Sequence, residues 1–196
     1  MAVELRKGQK VNLSKTAVSG EILINLNWTQ GTAKKGFFGL TKTQSIDLDL
    51  GAFVELNEGD KYVIQALGNS FGDLKSAPYV ALDGDDRTGA SLAGENIRVN
   101  GKMSTKIKRM LVYTFIYEGA ADWQQANAVV TIKYSGGDDI VVRLDEYSTS
   151  QGMCAIAEII NVNGSMAIEK LIRFFNGHKE MDHAFGWGFH WTAGRK

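Results

Sequence analysis

The sequence predicts a mainly β protein, an antiparallel β-sandwich with a few short helices. Three observations carry that expectation. Glycine is abundant at 22 residues while proline occurs once, at Pro78. Short apolar runs recur along the chain, separated by Gly, Asn and Asp. Several of these runs alternate apolar and polar residues, the period of a strand buried on one side.

The elements follow in order. Val3 to Leu5 and Val11 to Leu13 read as short strands around a Lys7-Gly8 turn. In Glu21-Ile22-Leu23-Ile24-Asn25-Leu26-Asn27-Trp28, Ile22, Ile24, Leu26 and Trp28 share one strand face, with Asn25 and Asn27 on the other. Residues 30–44 form a Gly-, Thr- and Lys-rich loop that carries Lys34, Lys35, Phe37 and Phe38. Its phenyl rings are expected to tuck onto the sandwich edge; the alternative is contact with a membrane or a partner. In Ser45-Ile46-Asp47-Leu48-Asp49-Leu50, the aliphatic residues face the core. Asp47 and Asp49 then share the opposite face, about 7 Å apart. Phe53 to Leu56 continues this strand, Asn57-Glu58-Gly59-Asp60 turns, and Tyr62 to Leu67 returns.

A loop over 68–76 leads to a strand ending at Leu82, and Ile97 to Val99 forms the next strand. Lys102, Lys106, Lys108 and Arg109 read as a solvated basic face. Met110 to Tyr117 is the most apolar run and is expected to be a central strand. Ala120 to Ala126 has the look of a short helix, with Asp122 as its cap. Ala128 to Tyr134 and Ile140 to Leu144 form a hairpin around Ser135-Gly136-Gly137-Asp138-Asp139. Gly152 to Val162, an Asn163-Gly164 turn and Met166 to Phe175 form another. Phe185-Gly186-Trp187-Gly188-Phe189-His190-Trp191 alternates aromatic with small or polar residues. A final core strand with four aromatics on one face is expected there, and a ligand-stacking platform is the alternative.

The length fits one domain spanning 1–196. Lys plus Arg and Asp plus Glu balance at 22 each, with no basic excess to engage nucleic acid. Cys154 is the one cysteine and has apolar neighbours, so it reads as a buried inert thiol in a reducing compartment. Residues 1–8 lack the apolar core of a signal peptide, and no run approaches the ~18–20 apolar residues of a membrane span. The expected location is cytoplasmic.

The most distinctive chemistry lies in Leu82-Asp83-Gly84-Asp85-Asp86-Arg87-Thr88-Gly89, followed by Gly94-Glu95-Asn96. Carboxylates this dense repel one another unless a cation sits among them. An EF-hand register beginning at Asp83 fails, with Arg87 at its fifth position, Thr88 at its sixth and Gly94 at its twelfth. Asp83, Asp85, Asp86, Glu95 and Asn96, with loop carbonyls, still offer the oxygen donors that Ca²⁺ takes. Asp47 and Asp49 could join them; the bland reading of that pair is a solvated strand face. His178, His183 and His190 lack zinc spacing and read as structural. No nucleotide-binding or nucleophile–base motif is present.

These residues resemble the TerD family of bacterial tellurite-resistance and stress-response proteins. The resemblance rests on Leu5-Arg6-Lys7-Gly8-Gln9, Asn27-Trp28, Ile46-Asp47-Leu48-Asp49 and Gly84-Asp85-Asp86-Arg87-Thr88-Gly89. The ending, from Cys154-Ala155-Ile156 to Met181-Asp182-His183-Ala184-Phe185-Gly186-Trp187-Gly188, looks most like the TerA branch. The resemblance implies a β-sandwich that binds Ca²⁺ through Asp47, Asp49, Asp85, Asp86, Glu95 and Asn96. It also implies a stress-response role without enzymatic activity, exercised with other proteins of a stress-response complex. Ala90-Ser91-Leu92-Ala93-Gly94 replaces much of the family's second acidic cluster, so weaker affinity or a single site is expected, with Asp83 as an extra acid. The alternatives are a calcium-dependent ligand- or membrane-docking module using Phe37 and Phe38, and a metal-dependent hydrolase.

Overall fold

The computed structural model describes residues 2–13, 19–29, 34–35, 41–42, 46–84, 94–119 and 123–193. The strands are β1 (Ala2–Glu4), β2 (Lys10–Leu13), β3 (Glu21–Asn27), β4 (Lys34–Lys35), β5 (Thr41–Lys42), β6 (Asp47–Leu56), β7 (Lys61–Ile64) and β8 (Gly72–Asp73). They continue as β9 (Val80–Leu82), β10 (Glu95–Asn100), β11 (Ile107–Glu118), β12 (Val129–Lys133), β13 (Asp139–Arg143), β14 (Met153–Val162) and β15 (Ser165–Phe175). A 3₁₀ turn covers Gly101–Lys106, and the helices are α1 (Trp123–Ala126) and α2 (His178–Phe185).

Two sheets pack face to face, as the apolar alternation predicts. One runs β1-β13-β12-β3-β10-β9-β8 and the other β2-β15-β14-β11-β6-β7. All pairings are antiparallel except that of β1 with β13. β1 and β2 flank the Lys7-Gly8 turn but join different sheets, so residues 5–9 cross the sandwich edge. The buried Lys170 ammonium donates to the Leu5 carbonyl there, at 2.6 Å. Between the sheets lies an apolar core of Ile22, Ile24, Leu26, Leu48, Leu50, Val54, Val112 and Ile168, among others. Asn163 and Gly164 both take positive φ, at 54° and 80°, the backbone that a two-residue hairpin loop requires.

The second sheet is covered on its outer face as well. Leu111, Tyr113, Phe115, Phe53, Met153, Ala155 and Phe175 form a second apolar cluster with Met181 and Trp187. A strand buried on both faces reads as an unbroken apolar run, which explains β11. In β14 a register shift between Ala155 and Ala157 places Ile156 and Ala157 both in the inner core, while Ala155 faces out. The bulge thus accounts for that strand's loss of alternation.

The expectation of a final core strand over 185–191 is overturned. Residues 178–185 are helical, Gly186 ends the helix in the left-handed conformation with φ 64°, and the chain then runs irregularly across the outer face. The buried carboxylate of Asp182 holds that course. It accepts from the Gly188 amide at 2.6 Å, the Phe189 amide at 3.0 Å and the Trp191 indole at 2.7 Å. The Arg109 guanidinium lies 4.0 Å over the Trp187 ring and donates to the Phe185 carbonyl. Arg109 also pairs with Glu55 at 2.6 Å, so the basic run is not wholly a solvated face.

Candidate metal centre

The site forms at the N-terminal half of β6. β7 pairs with β6 only over Ala52 to Glu55, so among the described residues no strand pairs with the N-terminal half of β6 on that side. Glu95, the first residue of β10 in the opposite sheet, reaches that half. Its Oε2 accepts the Leu50 amide at 2.7 Å, the acceptor that a further strand would otherwise supply. On either side of Leu48 lie Asp47 and Asp49. Both are buried, at 5% and 0% exposure, and Glu95 is exposed by only 2%. The solvated-face reading of the aspartate pair is therefore wrong.

Glu95, on the core side of β10, thus reaches the β6 backbone at Leu50, while Asp47 and Asp49 take the opposite face of β6 from Leu48 and Leu50, and all three carboxylates are buried. Buried charge of a single sign is costly without compensation. An all-oxygen donor set of this kind fits a hard cation such as Ca²⁺ better than zinc, which favours nitrogen and sulfur. Among the described residues, no three His, Cys, Asp or Glu side chains are close enough to hold a metal by themselves. A complete site would need donors from the following loop. Asp85 and Asp86 belong to it and lie outside the described residues.

The remaining two candidates have other partners. Asp83 accepts from Arg98 Nε at 2.7 Å, and Arg98 also bonds Glu21 at 2.5 Å. The hydrogen bond to Asp83 is the chief reason that the guanidinium is held above its ordinary pKa. Asn96 Oδ1 accepts from Asn25 Nδ2 at 2.9 Å. Alternation along β10 buries Glu95 and leaves Asn96 half-buried, so the two point opposite ways. The structure therefore buries Asp47, Asp49 and Glu95 along β6 and at the start of β10, and gives Asp83 and Asn96 the partners Arg98 and Asn25.

Polar contacts also run from Tyr113 in β11 to His178 at the start of α2, which sequence reasoning missed. Tyr113 lies across from Gly51, where any Cβ would overlap its ring. Burial chiefly, and then the charge of Asp49, raises the Tyr113 hydroxyl well above its ordinary pKa. That hydroxyl donates to Gln65 Oε1 at 2.7 Å, and His178 Nε2 meets the same oxygen at 2.8 Å. Burial lowers His178 to about 4, so the ring is neutral near pH 7. The signal that could have found it is Gly51, a glycine inside a strand otherwise rich in large residues. His183 and His190 are exposed, and Asp182 is engaged by backbone amides, which leaves no acid–base pair there. The buried Cys154 thiol is pushed up by desolvation and is inert as expected.

Comparison with known proteins supplies the remaining findings. The family model described as the TerD domain matches residues 1–165. The chain is 47% identical over 188 residues to the tellurium resistance protein TerA of Alcaligenes sp.. That match covers 95% of this chain and 56% of the relative, so the chain spans little more than half of that protein's length. The fold matches the crystal structure of a homologue of the telluride resistance protein TerD from Streptomyces coelicolor. There the TM-score is 0.59 and the identity 17%, over 83% of this chain and 94% of that one. A crystal structure of a protein of unknown function matches with TM-score 0.57 at 14% identity, over 81% and 91% of the two chains.

Proposed function

This chain belongs to the TerD family, and on that premise we propose that it is a calcium-binding stress-response protein of the tellurite-resistance type, without enzymatic activity. One observation carries the reading. Glu95 crosses from one sheet to the other and takes the amide of Leu50, in the strand that carries the buried Asp47 and Asp49. In this reading Asp47, Asp49 and Glu95 hold Ca²⁺ together with Asp85 and Asp86 of the loop between β9 and β10. Bound calcium would neutralise the buried carboxylates. The backbone of the loop would then be fixed against the sandwich end and form a surface for other proteins of a stress-response complex. The tellurium-resistance role of the TerA relative supports the physiological part of the proposal. A cytoplasmic location is part of the same proposal. No helix among the described residues is long and apolar enough to cross a membrane.

Calorimetric titration with Ca²⁺ tests the site. The wild type should bind saturably, and Asp49→Asn with Glu95→Gln should weaken binding at least about tenfold, or 1.4 kcal/mol. Equal affinity in the wild type and the double variant would reject the assignment.

A further inference from the structure

The C-terminal segment builds a second cavity on the outer face, of about 650 Å³, away from the acids. Lys61, Lys179, His183 and His190 line it, along with the rings of Phe189 and Trp191. Asp182 is the one acid on this wall, and its two oxygens already take three donors. Among the described residues, no carboxylate forms an ion pair with Lys61 or Lys179. Lys61 Nζ donates to the Trp187 carbonyl at 2.5 Å, which fixes that ammonium at the wall with two donor hydrogens left over. With two ammonium groups against one carboxylate, the wall is net positive beside two half-buried aromatic rings.

We propose that this cavity binds an aromatic phosphate of the nucleotide class. Ammonium and imidazole groups are donors suited to a phosphate. Phe189, stacked on Trp187 at 6.0 Å, and Trp191, packed on His178 at 4.9 Å, form an aromatic wall against which a base can pack. The volume falls within the roughly 300–1,000 Å³ of small-molecule sites. An inorganic oxyanion would use the cations but leave the rings and most of the space idle. The proposal stands independently of calcium binding.

The test is calorimetric titration of the whole chain in EDTA, so that no metal bridges ligand and protein. The probes are AMP, adenosine and inorganic phosphate. AMP should bind saturably and at least about tenfold more tightly than either fragment. Lys179→Glu and His190→Ala alter exposed side chains and should weaken AMP binding about tenfold, with an unchanged unfolding temperature. Three results overturn the proposal: no saturable AMP binding, equal affinity for phosphate or adenosine, or full AMP affinity in Lys179→Glu.

Discussion

His178 is the residue whose protonation most directly strains the structure. Its ring is packed against Tyr113, Phe115 and Trp191, with centroids at 5.6, 5.1 and 4.9 Å. Burial takes it from 6.5 in the unfolded chain to about 4 in the folded one. The unfolded chain therefore binds the extra proton first as pH falls. The neutral ring's contribution is fully present above about pH 6.5 and is lost progressively toward pH 4, with a limiting slope of about 1.4 kcal/mol per pH unit. Denaturant unfolding of the wild type and His178→Gln across that range checks this. The stability difference between them should shrink or reverse as pH falls, and a constant difference would show that the ring does not titrate with folding. At the same scale, Asp47 and Asp49 were legible as a pair, because a period of two puts them on one face. Their burial was not, because a period of two says which residues share a face and not what packs on it. The Arg98 partner of Asp83 was not legible either, because it lies 15 residues on, across β9 and β10.

The C-terminal segment is the element with the most to test. Its anchor is the Asp182 carboxylate, and Asp182→Ala removes three charge-assisted hydrogen bonds at once. A loss on the order of 3 kcal/mol is expected. Tryptophan emission should shift to the red as Trp187, buried at 0% exposure, and Trp191 meet water. A variant with unchanged emission and stability would mean that the aromatic packing, and not Asp182, holds the segment. The strands were readable because their alternation is strong and their turns are marked by Asn163-Gly164, Asn57-Glu58-Gly59 and the glycines at 136 and 137. The segment was misread because 185–191 mimics a strand's period of two. The competing signals were weak. α2 is eight residues long, buries only Met181 and Asp182, and ends on a glycine that also suits a strand bulge.

For the whole molecule, the sandwich buries acids from both sheets, Asp47 and Asp49 from one and Glu95 from the other, and carries an aromatic cover on one outer face. The Tyr113–Gln65–His178 hydrogen bonds tie that cover to the sheet beneath it. This geometry makes stability depend on what sits among the carboxylates. Buried charge of one sign is costly, and in the proposed site a bound cation offsets it. With a cation the same charge becomes an attraction. The most direct measurement is thermal unfolding of the wild type and Asp49→Asn, each in EGTA and in excess calcium. At a free concentration a hundredfold above the dissociation constant, linkage gives the wild type about 2.7 kcal/mol of added stability. The account predicts an upward shift for the wild type in calcium. It predicts that Asp49→Asn gains little when calcium is added. A wild type that unfolds at the same temperature in both conditions would contradict it.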